Sequence, residues 1–189
     1  MNRLFWSVAL LWVQFSAVCF AQVESDATKA LQAELSQFRR TGSYAEVEAA
    51  CHGFAKKHPD AVRCFSFGQT SEGRPIFALA VSHSGVLTPE QARRAGIPVV
   101  LAIGGTHAGE IDGKDAGLIL IRDLLAKPSQ NDLIKNQIFL FVPVFNVDGH
   151  ERTSPYNRPN QNGPSLQGER VTAKRINLNR DWILGQSEE

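Results

Sequence analysis

The stretch Ile97-Pro98-Val99-Val100-Leu101-Ala102-Ile103-Gly104-Gly105-Thr106-His107-Ala108-Gly109-Glu110 decides how this chain is read. An apolar run ends in two glycines, and a histidine and a glutamate follow, three residues apart. Val99 to Ile103 predicts a buried strand, and Gly104-Gly105 a sharp turn as the backbone leaves the sheet. From Gly109 onward the pattern is helical, with Ile111, Leu118, Ile119, Ile121, Leu124 and Leu125 as its apolar face. His107 and Glu110 then fall at the carboxyl end of a strand, where open α/β sheets place their ligands. An imidazole and a carboxylate converging there supply two ligands of a catalytic zinc site, which takes three from the protein and keeps one position open. The competing reading is a surface His–Glu pair in a first helical turn. Its position after a strand and a Gly-Gly turn favours the metal.

Length and composition bound the rest. A chain of 189 residues is enough for one domain with a core. Lys and Arg total 20 against 19 for Asp and Glu, a net charge of +1, which points away from nucleic acid as a partner. The start differs in kind: Met1-Asn2-Arg3 is basic, residues 4–20 are almost wholly apolar, and Val18-Cys19-Phe20-Ala21 precedes Gln22. That is the pattern of a secretory leader cut after Ala21. A membrane anchor is the alternative, but Ser7, Gln14 and Ser16 interrupt a stretch already short of the ~20 residues a span needs. The expectation is export to the periplasm or the extracellular space, with no stable membrane anchor and a monomeric mature chain. After cleavage Cys51 and Cys64 remain. An oxidising compartment favours a disulfide between them, and two free buried thiols are the alternative.

Along the chain, residues 26–40 read as a helix broken at Thr41-Gly42-Ser43, and Ser43 as the N-cap of a second helix from Tyr44 to about Lys57. Residues 61–67 and 75–82 read as a hairpin joined through 68–74. Residues 87–96 read as a connection with room for a short helix. Residues 137–145 read as a strand apolar on both faces, adjacent and parallel to 99–103 through the intervening helix, which Lys127-Pro128-Ser129 ends. From Asn146 to Arg180 the chain reads as loop, rich in Asn, Arg, Gly and Pro, long enough to suggest a binding segment.

Both polar clusters follow a buried strand, so the sheet should bring them to one edge. One offers metal ligands, the other arginines able to grip a carboxylate at two points. The chain here resembles the zinc metallocarboxypeptidases of the carboxypeptidase A type. The matching pieces are Gly68-Gln69-Thr70-Ser71-Glu72-Gly73-Arg74-Pro75-Ile76, Gly105-Thr106-His107-Ala108-Gly109-Glu110, Asn146-Val147-Asp148-Gly149 and Asn177-Leu178-Asn179-Arg180-Asp181-Trp182. They occur in the family's order and span roughly residues 40 to 182. The resemblance implies an α/β fold: a mixed, largely buried β-sheet flanked by helices, with residues 22–189 forming the N-terminal part of one catalytic domain.

It further implies one Zn²⁺ held by His107 and Glu110, and peptide or protein C-termini as substrate. Asn179 and Arg180 match the pair that binds the substrate's terminal carboxylate. A further arginine, which polarises the scissile carbonyl, is assigned to Arg158, with Arg152 as the alternative. Two departures stand out. Asn177 occupies a position where the family often has an aspartate bonded to the zinc histidine. The family's third zinc ligand, catalytic glutamate and substrate-covering tyrosine lie downstream of the Asn-Arg-Asp-Trp segment, and the chain ends at Glu189. His150 as a replacement ligand and Glu151 as a replacement base are the options within the chain. The expectation is a truncated, inactive portion of a metallocarboxypeptidase. An amidohydrolase of the same fold and a non-catalytic binder of peptide C-termini are the alternatives.

Overall fold

The computed structural model describes residues 30–126 and 133–189. The expected leader and the Lys127-Pro128-Ser129 helix stop therefore lie outside the described residues. Four strands form one mixed sheet in the order β1 (Val62–Gln69), β2 (Pro75–Val81), β4 (Ile138–Val142), β3 (Val99–Ile103). β1 and β2 pair antiparallel as the predicted hairpin, β2 pairs antiparallel with β4, and β3 runs parallel to β4 with Leu101 opposite Leu140. The hairpin strand runs to Gln69, past the predicted end, with a bulge between Ser66 and Gly68. The turn closes through the Thr70 N–H donating to the Arg74 carbonyl.

Helix α2 (Tyr44–Lys57) places Tyr44, Val47, Ala50, Cys51 and Phe54 on one buried face, the spacing an amphipathic helix requires. Ser43 stands at its N-cap with extended dihedrals, but its hydroxyl makes no capping bond. Helix α4 (Asp112–Ala126) connects β3 to β4 and buries Leu118, Ile121 and Leu125. These residues join Leu79 and Val81 of β2 and Phe141 and Val142 of β4 in the main core. Side chains alternate along β2, so Ala80 faces the other way and meets Ala92 of α3 (Pro89–Ala95) in a smaller cluster with Ile138. A disulfide joins Cys51 of α2 to Cys64 of β1, with Cα atoms 5.3 Å apart. It settles the two alternatives for these thiols.

Four expectations need correction. The helix expected over 26–40 is, among the described residues, a single turn, α1 (Gln32–Leu35). Gln37 and Phe38 take positive φ angles of 55° and 60°, which end helical hydrogen bonding. α4 begins at Asp112 rather than Gly109, because residues 107–110 form a turn of their own, the Glu110 N–H donating to the His107 carbonyl. β4 stops at Val142, short of Phe145. Finally, β3 is not buried: Val99, Val100, Leu101 and Ile103 are 48%, 44%, 55% and 37% exposed. Among the described residues β3 has β4 on one side and no strand on the other.

Candidate active site

The β3–β4 pairing carries past the strand ends. Gly104 N–H donates to Val142 O, Phe145 N–H to Gly104 O and Asn146 N–H to Gly105 O, at 2.8, 3.0 and 3.0 Å. Gly105 lies at φ +56°, and a Cβ there would come within 3.1 Å of Val144, so the sharp exit from β3 needs glycine. These bonds fasten the His107–Glu110 turn to the segment that opens the second polar cluster. Both clusters therefore sit at one sheet edge.

Within the turn, His107 Nδ1 lies 3.2 and 3.3 Å from the two Glu110 carboxylate oxygens. His107 is 7% exposed, and its Nε2 lies 3.0 Å from Asn177 Oδ1. An amide oxygen only accepts, so Nε2 carries the proton and donates. Nδ1 faces the Glu110 carboxylate, and the two groups come together favourably across a shared proton or a cation.

Arg158 closes the other side. Its Nη2 donates to Glu110 Oε1 at 2.5 Å, and the residue is 8% exposed. Its Nη1 is buried and has no partner. A Cβ on Gly109 would lie 2.7 Å from Arg158 Cγ and 2.7 Å from Gly168 O. The glycine between Ala108 and Glu110 is what lets the arginine lie across the turn. Burial opposes ionisation of Glu110, but the hydrogen bond from Arg158 and the neighbouring His107 outweigh it, holding the carboxyl below its ordinary range.

Arg152, the alternative, pairs instead with Glu72 and approaches Glu169 at 3.9 Å. Sequence reasoning missed Arg170, whose Nη1 stands 3.8 Å from Glu110 Oε1. Its approach had no local signal, since Arg175 of the same loop pairs with Glu169 instead. The Asn179–Arg180 pair lies in a 3-10 turn (Leu178–Arg180) that starts at Asn177, whose Oδ1 also accepts from the Asn179 N–H at 3.1 Å. One amide thus ties the turn carrying Asn179 and Arg180 to His107. Asn179 and Arg180 are both exposed. Trp182 donates to Asn179 Oδ1 at 3.4 Å and stacks on Phe145.

The segment expected as loop from Asn146 contains a short helix, α5 (Val147–Glu151), capped by Asn146 Oδ1 accepting from the Gly149 N–H. Asp148 is fully buried and accepts from Thr70 Oγ1 at 2.7 Å, Glu72 N–H at 3.1 Å and Arg74 Nη1 at 2.6 Å. These bonds dock the β1–β2 turn onto α5, a holding role for two of the sequence motifs. His150 is engaged with Glu151 at 2.8 Å. Among the described residues no three His, Cys, Asp or Glu side chains gather as a metal cluster.

A sequence profile of the zinc carboxypeptidases matches residues 47–188. The chain belongs to the zinc carboxypeptidase family. It is similar to Carboxypeptidase D of Anas platyrhynchos, 27% identical over 167 residues that cover 86% of this chain and 11% of that protein. It is also similar to Carboxypeptidase A6 of Mus musculus, 25% identical over 78% of this chain and 32% of that protein. The crystal structure of the Carboxypeptidase A from Helicoverpa armigera superposes with a TM-score of 0.55 at 26% identity, over 74% of this chain and 31% of that one. The chain thus spans about a third or less of the length of these relatives.

Proposed function

We propose that His107 and Glu110 are zinc ligands of a metallocarboxypeptidase site that hydrolyses the C-terminal peptide bond of peptides. The observation that carries this reading is the Asn177–His107 hydrogen bond, which fixes the ring with Nδ1 aimed at the Glu110 carboxylate. A ring nitrogen fixed by a bond to its partner nitrogen is the usual arrangement of a metal-ligating histidine, here with an amide oxygen in place of a carboxylate. When bound, zinc polarises a carbonyl and acidifies a water molecule.

The chain's own groups supply the contacts to substrate. Arg158, with one nitrogen on Glu110 and Nη1 unpartnered, has a donor for the scissile carbonyl oxygen. Arg170 adds a second positive charge beside it. Asn179 and Arg180 hold the substrate's terminal carboxylate, so that only the last bond reaches the metal. In this reading the third ligand and the general base come from outside the described residues. Export behind a leader of residues 1–21 belongs to the same proposal. The Cys51–Cys64 disulfide supports it, since such crosslinks persist in oxidising compartments.

The test is capture of a short peptide by the zinc-loaded 189-residue chain, followed by calorimetry. Arg180→Ala and amidation of the peptide's C-terminus should each weaken binding about tenfold or more. An amidated peptide that binds as well as the free acid would refute carboxylate recognition. The chain should release no C-terminal amino acid. Turnover abolished by Glu110→Ala would show that a residue within the chain completes the site.

A further inference from the structure

In the run Tyr156-Asn157-Arg158-Pro159-Asn160-Gln161-Asn162-Gly163-Pro164, Arg158 reaches Glu110 directly, and the rest folds into a strap beside it. The two ends of the strap are tied. Ser154 N–H donates to Gln167 O at 3.0 Å and Gln167 N–H to Ser154 O at 3.1 Å. The Asn157 amide closes the neck, its Nδ2 donating to Arg152 O and to Gln167 O, each at 2.8 Å. Residues 154–167 thus form a compact loop with joined ends, a shape that functional loops often take. At its tip the Gln161 N–H donates to Arg158 O at 3.0 Å, so both side chains leave one turn. Arg158 Nη2 reaches the Glu110 carboxylate, and Gln161 Nε2 donates to the Gly109 carbonyl at 3.1 Å.

The orientation of the Gln161 amide follows from its neighbours. Its nitrogen also lies 3.4 Å from Gly163 O, and two carbonyl neighbours require a donor. The other end is left unmatched, since Gln161 Oε1 is buried and has no partner. A buried oxygen without a donor opposes folding, so stability alone would favour an apolar side chain of this length. What the amide supplies is geometry. The Gly109 carbonyl and the Glu110 N–H belong to one planar peptide unit. That N–H donates to the His107 carbonyl at 2.9 Å, and Gln161 holds the carbonyl on the opposite side. With both ends held, the plane is fixed, and so is the direction in which the Glu110 side chain leaves the turn.

We infer that Gln161 is a positioning residue of the metal site. Its amide, carried on the strap that Asn157 closes, locks the Gly109–Glu110 peptide so that the Glu110 carboxylate faces His107 Nδ1. The inference rests on the reading of His107 and Glu110 as zinc ligands and adds to it the group that aims one of them.

The experiment titrates zinc into the 189-residue chain by calorimetry, beside its Gln161→Met, Tyr156→Ala and His107→Ala variants. Methionine keeps the length of the side chain and removes the donor. Gln161→Met should weaken zinc binding about tenfold or more, as loss of a group that orients a ligand does. The thermal midpoint should stay near that of the parent, because the lost bond is offset by removal of the unmatched oxygen. Tyr156, 85% exposed on the same strap, is the control, and Tyr156→Ala should bind zinc as the parent does. Equal affinity in Gln161→Met would overturn the inference and leave the zinc reading standing. Binding that survives His107→Ala would overturn the zinc reading itself. A measurement without metal separates the two: hydrogen exchange followed by NMR, well below the midpoint of each variant. Exchange at the Glu110 amide should quicken in Gln161→Met, with no change at the core amides of Val47 and Leu79. An unchanged Glu110 rate, or faster exchange at all three, would show that Gln161 does not position the turn.

Discussion

β2 and β3 flank the same strand, β4, and are built from the same kinds of residue, yet they end in opposite surroundings. From Ile76 to Val81, β2 is no more than 6% exposed at any position, while four of the five β3 residues are at least 37% exposed. The difference lies in what covers them. β2 has β1 and β4 beside it, the α2 and α4 side chains against one face and α3 against the other. β3 has β4 alone. Apolar sequence selects the strand, but burial is decided by neighbours distant in the chain. The two strands also divide the labour: β2 anchors the core, and β3 delivers its polar end to the site.

The sharpest way to break this comparison is to truncate one leucine in each strand. Leu79→Ala removes a fully buried side chain and should cost about 2–5 kcal/mol. Leu101→Ala, at 55% exposure, should stay within about 0.5 kcal/mol. Urea denaturation measures both. Comparable losses would show that β3 is covered in solution.

The disulfide sits on the hairpin side, closing a loop between residues 13 apart in sequence. Replacing Cys51 and Cys64 together by Ala should cost about 3 kcal/mol on the chain-entropy account. Zinc binding should be unchanged at temperatures where the variant stays folded. A loss of zinc binding from a folded variant would mean that the two regions are coupled more tightly than their contacts indicate.

Acid should separate the regions by a smaller margin. Glu110 and Glu151 are both held below their ordinary carboxyl range. Each therefore contributes stability that is full above the ordinary value of about 4.3 and is lost as pH falls through its lower folded value. The β1–β2–α2 side is held mainly by apolar burial and the crosslink, which do not titrate. Hydrogen exchange read by mass spectrometry as pH is lowered below 4 should lose protection first around residues 107–110 and 147–151. Earlier loss in β2 would reverse the assignment.

Much of this was legible in the sequence because it is local. The 3.6-residue spacing of α2, the hairpin and the Gly-Gly exit after β3 all depend on neighbours in the chain. So did the placing of His107 and Glu110, whose motif follows the exit from β3, whereas Asn177, 70 residues from His107, was placed by the family resemblance. What was not legible is non-local. The reversal at Gln37 and Phe38 follows no glycine or proline signal. The approach of Arg170 to Glu110 and the docking of Thr70 and Arg74 onto Asp148 depend on loops folding back over scores of residues. The exposure of β3 depends on which strands join the sheet. None of these has a periodic signature.

The central claim is that His107 Nδ1 and Glu110 converge on one zinc ion, oriented by Asn177. Calorimetric titration of zinc into the purified chain tests it most directly. The account predicts one-to-one binding that is weak, because a complete site has three protein ligands. His107→Ala and Glu110→Ala should each abolish it, and Asn177→Ala should weaken it by about 10–100-fold. Binding that is tight, or that survives His107→Ala, would contradict the claim.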